Sequence, residues 1–490
     1  MKKKINDRRA FMKNAMKLAM GTSLLTSASL QASTNQEKKK PNILVIYSDQ
    51  QALWTISAYA GKTHIPIEID TPNIDRIAKE GVLLNNYFTN SALCTPSRGC
   101  FVSGLYPHRN GAYENDTPLD ENALADGTWG SLFYDEGYET GWIGKWHLDG
   151  RAKPGLSKPD RFLGFGQQQW RWNRGHWKGV RSKGKGMHTK IKKLTKKILS
   201  DGHYTTNWLG NRTIDFLKRQ HKKGNKTPFA FVVSFPDPHG PHTIYKKYAD
   251  EYTDKVTLPD SLSVEYDSHR PNWANDNEKP STIKEKKEKY LSMVKCIDDN
   301  VGKILDTLDR LKMADDTIVI FTTDHGEFMG EHALLGKNRM YEPAFHIPFM
   351  IRWPNHIKQN VELDEFITTV DIKDTLLRLA GIEVNPNNSD GKDASGLFLK
   401  YGSNDRWDNI AYLHHATFEQ TGIVTDDWFM AHVNNEDSVL FNRKDDPQQV
   451  NNLAYDDAYS SLMKQLTQEL YNHHVSFNNN RVTIWLSKYL

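Results

Sequence analysis

Cys94 opens the run Cys94-Thr95-Pro96-Ser97-Arg98-Gly99-Cys100, which places a nucleophile candidate at the mouth of a helix. Pro96 suits a first helical position, where its missing N–H is no loss. Ser97 to Ser103 can continue as a helix ended by Gly104 and Pro107. Free N–H groups and the helix dipole favour an anion there, so the spacing predicts a Cys94 thiol with a lowered pKa. A buried, inert thiol ahead of a helix is the plainer alternative. Arg98 lies one helical turn after Cys94 and can reach back to it. Lys145 and His147, two apart in an extended segment, face the same side.

The elements that must position these groups repeat one pattern: an apolar run followed at once by polar, ionisable residues. Asn42–Tyr47 leads into Ser48-Asp49-Gln50-Gln51, and Glu139–Ile143 leads into Gly144-Lys145-Trp146-His147. Pro228–Phe235 leads into Pro236-Asp237-Pro238-His239, and Thr317–Thr322 into Thr323-Asp324-His325-Gly326-Glu327. Runs rich in β-branched residues suggest strands buried on both faces. Helical spacing is predicted for Thr71–Glu80, Tyr204–Gln220 and Lys286–Leu311. Strands alternating with helices predict an α/β fold with a large mixed, mostly parallel sheet flanked by helices. Chemistry in such sheets collects beyond the carboxyl ends of the strands.

After about residue 400 the texture changes. Ile410–His414, Gly422–Val433 and Ser438–Phe441 read as short strands and Ala458–His474 as a helix, so 401–490 is expected to form a smaller C-terminal α+β subdomain beside a catalytic domain at 33–400.

The first 32 residues read as a targeting segment. Arg8-Arg9-Ala10-Phe11-Met12-Lys13 is a twin-arginine pattern ahead of a weakly apolar stretch, Ala15–Leu30. That stretch, interrupted by Lys17 and Gly21, is too short to serve as a permanent membrane anchor. Use of the twin-arginine export machinery and a periplasmic or secreted location follow as expectations. The segment holds seven Lys or Arg and one Asp, so its removal takes the net charge from +4 to about −2. The apparent basicity therefore gives no argument for a nucleic-acid partner. Three cysteines exclude a disulfide framework, and Cys100 and Cys296 are expected as buried thiols. The segment 161–197 mixes Trp170, Trp172, His176 and Trp177 with many Lys and Arg. It reads either as a solvated insertion or as a cleft wall suited to sugar rings and anionic groups.

Cys94-Thr95-Pro96-Ser97-Arg98, continued by Leu105-Tyr106-Pro107-His108-Arg109-Asn110-Gly111, resembles the signature of the formylglycine-dependent sulfatases of the alkaline phosphatase superfamily. The resemblance spans about residues 41–455. It includes Gly137-Tyr138-Glu139-Thr140 with Gly144-Lys145-Trp146-His147, Gly336-Lys337-Asn338-Arg339-Met340-Tyr341-Glu342, and Leu440–Ala454 near the end. It implies an alkaline phosphatase-like fold. It also implies conversion of Cys94 to Cα-formylglycine by a maturation enzyme, and hydrolysis of sulfate esters by the hydrated aldehyde. Asp49, Gln50, Asp324 and His325, with the modified Cys94, match the family's metal positions. The implied ion is one Ca²⁺ per chain, with Mg²⁺ or Mn²⁺ compatible with the residue types. Many members carry Asp where this chain has Gln50. By the same resemblance Lys145 steadies the diol, His147 takes a proton from it, His239 protonates the leaving oxygen and Lys337 holds the sulfate.

Export, chain length and the Trp-rich segment point to a sulfated carbohydrate as substrate, with His64, Arg174, His176 and Arg339 as subsite candidates. Two other functions fit the residues: a phosphonate or phosphate ester hydrolase of the same superfamily, kept open by Gln50, and a non-catalytic binder of sulfated glycans in which Cys94 is never converted.

Overall fold

Strand β1, Asn42–Asp49, is buried at every residue. Its side chains alternate between two cores: Ile43, Val45 and Tyr47 join one, Leu44 and Ile46 the other. This is why the run is continuously apolar rather than alternating. Around it lie β2 (Val82–Leu84), β3 (Glu139–Lys145), β4 (Arg171–Trp172), β5 (Phe229–Pro238), β6 (Thr317–Thr323), β7 (Phe349–Arg352) and β8 (Val361–Leu363). They form one eight-stranded sheet in the order β8-β2-β7-β6-β1-β5-β3-β4. All pairings are parallel except those of β7, which runs antiparallel to both β2 and β6. The expected mixed, mostly parallel sheet is observed.

The computed structural model describes residues 39–151, 161–167, 170–183, 190–193, 201–262, 270–274, 278–402 and 407–490. The expected signal peptide, with its twin-arginine pattern, lies outside them, as do most of 33–40 and parts of 161–197. Among the described residues no helix is long and apolar enough to cross a membrane.

Helices cover both faces of the sheet. On one side pack α1 (Pro72–Lys79), α4 (Thr205–Lys222) and α5 (Pro280–Arg310), through Ile74, Ile77, Phe216, Val301 and Ile304. On the other pack α2 (Cys94–Ser103), α3 (Trp129–Asp135) and α6 (Ile372–Leu379), through Phe101, Trp129 and Leu376. Helix α1 has Pro72 at its start, as expected. Helix α5 begins six residues before the expected Lys286, at Pro280, whose fixed φ and absent donor suit a first turn.

The C-terminal region carries a separate antiparallel sheet, β9 (Ala411–His414), β10 (Gln420–Val424), β11 (Trp428–Val433) and β12 (Val439–Asn442), in sequence order. The expected single strand Gly422–Val433 is therefore two. Asp426-Asp427 forms the turn between them, with Thr425 N donating to Trp428 O at 2.8 Å, a use typical of Asp. One face of this sheet packs Ile423, Met430 and Leu440 on Leu466 and Leu470 of α7 (Ser460–Ser476) and Trp485 of α8 (Asn480–Leu486). Its other face packs Leu413, Phe429 and Phe441 on Phe88, Tyr341 and Phe345. Helix α8 was not anticipated. The sheet has apolar groups on both faces, so it is held between α7–α8 and the rest of the chain.

Candidate active site

The carboxyl ends of β6, β1, β5 and β3 are neighbours in the sheet, so the polar residues following each strand converge. Parallel register sets Ser48 beside Thr323 and Asp49 beside Pro238, and His239 N donates to Asp49 O at 3.0 Å. The backbone here is constrained. Gln50 and His147 both adopt φ of 63°, a left-handed conformation that costs a non-glycine residue energy and is held only by surrounding contacts. A Cβ on Gly144 would lie 1.9 Å from Ser234 O, so glycine is required for β3 to lie against β5 at that point. The turn at His147 also corrects the expected extended segment. Lys145 ends the strand, and His147 reaches the site through a reversal of the chain.

Helix α2 begins at Cys94 itself, not at Pro96. Leu93 provides the extended cap, with Ser97 N donating to Leu93 O at 3.0 Å. Cys94 is thus the first helical residue and is 1% exposed. Its Sγ lies 3.2 Å from His325 Nε2, 3.3 Å from Lys145 Nζ and 4.0 Å from Asp49 Oδ1. Burial alone would push the thiol pKa up, but Lys145, Lys337 and His325 together hold it well below the usual range. The lowered pKa expected from the helix terminus is found, with side-chain cations as its main cause.

Arg98 is fully buried and ties the strand ends together. Its Nε donates to Asp324 Oδ2 at 2.9 Å, and its Nη1 to Lys145 O at 2.8 Å and Ser234 Oγ at 3.0 Å. Its Nη2 stands 4.0 Å from Asp49 and has no hydrogen-bond partner. The other oxygen of Asp324 accepts from Gln50 N at 2.8 Å and His325 N at 3.0 Å. Lys145 Nζ pairs with Asp49. Burial would raise the Asp49 pKa, but Lys145, His176 and His239 hold its carboxyl well below the ordinary value.

A second ring of groups stands over this base. Lys337 Nζ lies 2.9 Å from His239 Nε2 and donates to Gln50 Oε1. The rings of His239 and His176 stack with centres 3.4 Å apart, and His176 Nε2 lies 3.2 Å from Asp49 and 2.9 Å from Lys145 Nζ. Burial, then Lys337, pushes His239 well below the usual histidine pKa. Burial likewise lowers His147. These rings are neutral near pH 7, as a proton acceptor must be.

All of Asp49, Gln50, Cys94, Arg98, Lys145, His147, His239, Asp324, His325 and Lys337 are therefore brought to one place. Of the subsite candidates only His176 joins them. Arg174 pairs with Asp116 and Arg339 donates to Trp273 O. His64 pairs with Glu331 in a cavity of about 310 Å³ that is lined by Glu327 but by none of those ten residues. The described part of 161–197 brings His176 against Asp49 and Lys145 and packs its tryptophans on and in the core beneath. Trp172 is fully buried, Trp177 stacks on it, and Trp170 packs edge-on to Trp208. Cys100 and Cys296 are free buried thiols.

Sequence reasoning missed two groups. Glu327 accepts from Gln50 Nε2 and from the backbone of Met329 and Gly336, and burial raises its pKa. It stands three residues after Asp324, so its position was available. Lys178 donates to Asp237 and to His239 O and so fixes the loop that carries His239. Nothing in the sequence singles it out from the neighbouring lysines.

Asp49, Cys94, Asp324 and His325 offer ligand atoms within 4.8 Å of one another. Two buried carboxylates at the carboxyl end of a parallel sheet fit a hard divalent cation.

The fold and this constellation define a hydrolase of the alkaline phosphatase-like class. The sulfatase family model matches residues 41–382, and that of the N-sulphoglucosamine sulphohydrolase C-terminal region matches 330–476. The chain belongs to the sulfatase family and is a hydrolase of sulfate esters. It is 26% identical to an N-acetylglucosamine-6-O-sulfatase of Bacteroides thetaiotaomicron, with 95% of this chain and 92% of that one covered. It is 30% identical to an ulvan-active sulfatase of Formosa agariphila, covering 89% and 81%. Among solved structures, a protein in complex with its substrate D-glucosamine-2-N,6-O-disulfate superposes with a TM-score of 0.74 at 23% identity, covering 90% and 99%.

Proposed function

We propose that the protein is an exported, Ca²⁺-dependent sulfatase that removes sulfate from a sulfated carbohydrate, with Cys94 acting as Cα-formylglycine. The observation that carries this reading is the position of Cys94 Sγ, packed against Lys145, His325 and Asp49 at the base of the site. Sγ stands for the diol oxygens of the mature residue. Converted and hydrated, residue 94 supplies one oxygen to attack sulfur and a second hydroxyl whose deprotonation expels sulfate and restores the aldehyde. Asp49, Asp324, His325 and residue 94, with Gln50 at the family's remaining position, would hold a divalent cation, which would supply positive charge to the sulfuryl oxygens and the attacking oxygen.

The chain's own groups do the rest. Lys145, Arg98 and Lys337 set three cations against the Asp49 and Asp324 carboxylates, a balance that favours an anionic ester. Arg98 Nη2 is a donor without a partner. His147, neutral and beside residue 94, accepts the proton of the second hydroxyl. His239 stands above the site and donates a proton to the leaving oxygen, while Lys337 bonds the sulfate. His239 cannot store that proton at neutral pH on its own, so an incoming dianionic or monoanionic group beside Lys337 must raise its pKa as it binds.

The test is a panel of defined sulfated oligosaccharides with released sulfate as readout, together with the mass of the peptide spanning residue 94. Sulfate release with a mass matching formylglycine supports the reading. An unconverted thiol with retained glycan binding supports the non-catalytic binder. Gln50 favours a second reading: its amide adds no negative charge beside Asp49, and its Oε1 accepts from Lys337. Matched aryl sulfate and aryl phosphonate esters separate the sulfatase from a phosphonate ester hydrolase.

A further inference from the structure

Far along the chain from the catalytic groups, three histidines meet in the C-terminal region. His414 ends β9, and His473 and His474 lie in the last turn of α7. They are 2%, 6% and 0% exposed. One nitrogen from each lies within 4.8 Å of the others. His414 Nε2 and His473 Nε2 are 3.2 Å apart. Ring centres are separated by 5.4 Å for His414–His473, 5.0 Å for His414–His474 and 5.3 Å for His473–His474. With metal–nitrogen bonds of about 2.0–2.1 Å in tetrahedral array, coordinating nitrogens stand about 3.3 Å apart and ring centres roughly 5 Å apart. The three rings already have that spacing.

We propose that His414, His473 and His474 form a metal site, distinct from the catalytic one, that takes a borderline divalent cation such as Zn²⁺. Further observations support it. His473 and His474 lie in the last turn of α7, where the helix dipole favours positive charge. Tyr106 stacks on His414 and Tyr412 on His473, fixing both rings. Those two tyrosines also line a cavity of about 150 Å³ with Asp371, Glu469, Asp390, which pairs with Arg109, and Asp408, which pairs with Lys392. His474 meets Thr421 Oγ1 at 2.7 Å and Asn479 Nδ2 at 3.1 Å, so its ligation exchanges one hydrogen bond for a metal bond. Imidazole nitrogens alone select Zn²⁺ or Co²⁺ over Ca²⁺. The ion would brace the C-terminal sheet against the chain entering α2, because His414 N donates to Asn90 O and Tyr106 follows α2.

The test uses the full chain in millimolar Ca²⁺. One equivalent of Zn²⁺ is expected to bind and raise the melting temperature, and Co²⁺ is expected to give intense tetrahedral visible bands. His473→Gln and His474→Gln should each weaken Zn²⁺ binding at least about tenfold, while Asp324→Asn keeps it. Crystals of the unmutated protein soaked in Zn²⁺ should show an anomalous peak between the three rings. An absent peak there, or binding unchanged in His473→Gln, overturns the proposal. The soaked crystals decide the question even if the variants fail to fold.

Discussion

The molecule holds two groups of buried histidines in opposite electrostatic company. At the carboxyl end of the parallel sheet, His147, His176, His239 and His325 stand among Asp49, Asp324, Arg98, Lys145 and Lys337. In the C-terminal region, His414 and His432 of the sheet and His473 and His474 of α7 are bonded to hydroxyls, an amide and each other. Burial pushes rings in both groups towards the neutral form. What differs is what a change in charge would cost. In the first group Arg98, Lys145, Asp49 and Asp324 each have a counter-charge in contact, so removing one strands another. Among the described residues, the second group bonds to no charged side chain that such a change would strand.

Breaking the first group at its centre should have the largest effect. Cys94→Ala is expected to lower kcat by at least about 10⁴-fold with the fold intact, measured by sulfate release and by circular dichroism. Next comes removal of the ion: exhaustive chelation should abolish turnover and Ca²⁺ should restore it, and full activity after chelation would remove the metal from the scheme. Lys145→Met leaves the Asp49 carboxylate buried without its nearest cation. It should cost about 3 kcal/mol of stability as well as activity, and denaturant melts read the first part. The smallest effect lies in the second group. Burial pushes His432 down to about 4, while an unfolded histidine titrates near 6.5. The unfolded chain therefore binds the extra proton first. Stability is full above about pH 6.5 and is lost as pH falls towards 4, by up to about 3 kcal/mol from this ring. His432→Gln should make the loss of melting temperature between pH 7 and pH 5 shallower than in the unmutated chain. An equal slope would show that His432 is protonated in the fold.

The two regions were also unequally legible. Asp49, Lys145, His239 and Asp324 each come at or just after the end of a long apolar run, and those runs form neighbouring strands of one sheet. The convergence of Asp49, Lys145, His239 and Asp324 could therefore be read before any coordinates. The backbone reversal at His147 could not, because it depends on how Gly144 meets Ser234 across the sheet. The C-terminal sheet was harder. Its strands are short, so the Asp426-Asp427 turn was absorbed into one long strand, and α8 lies beyond the last matched motif. The tryptophans of 161–197 misled for a related reason. Composition shows that Trp172 and Trp177 are aromatic but not that Trp172 is buried in the core with the half-buried Trp177 stacked on it.

The near-complete enclosure of Cys94 has a consequence for how the protein is made. With about 1% of its surface open and its neighbours locked to strand ends more than 200 positions further along the chain, no enzyme that must grip the chain around residue 94 can reach it once the sheet has closed. If the residue is altered, the alteration belongs to the brief life of the nascent, unpaired chain. A copy that closes too early would be well folded, of normal stability, and permanently without a nucleophile.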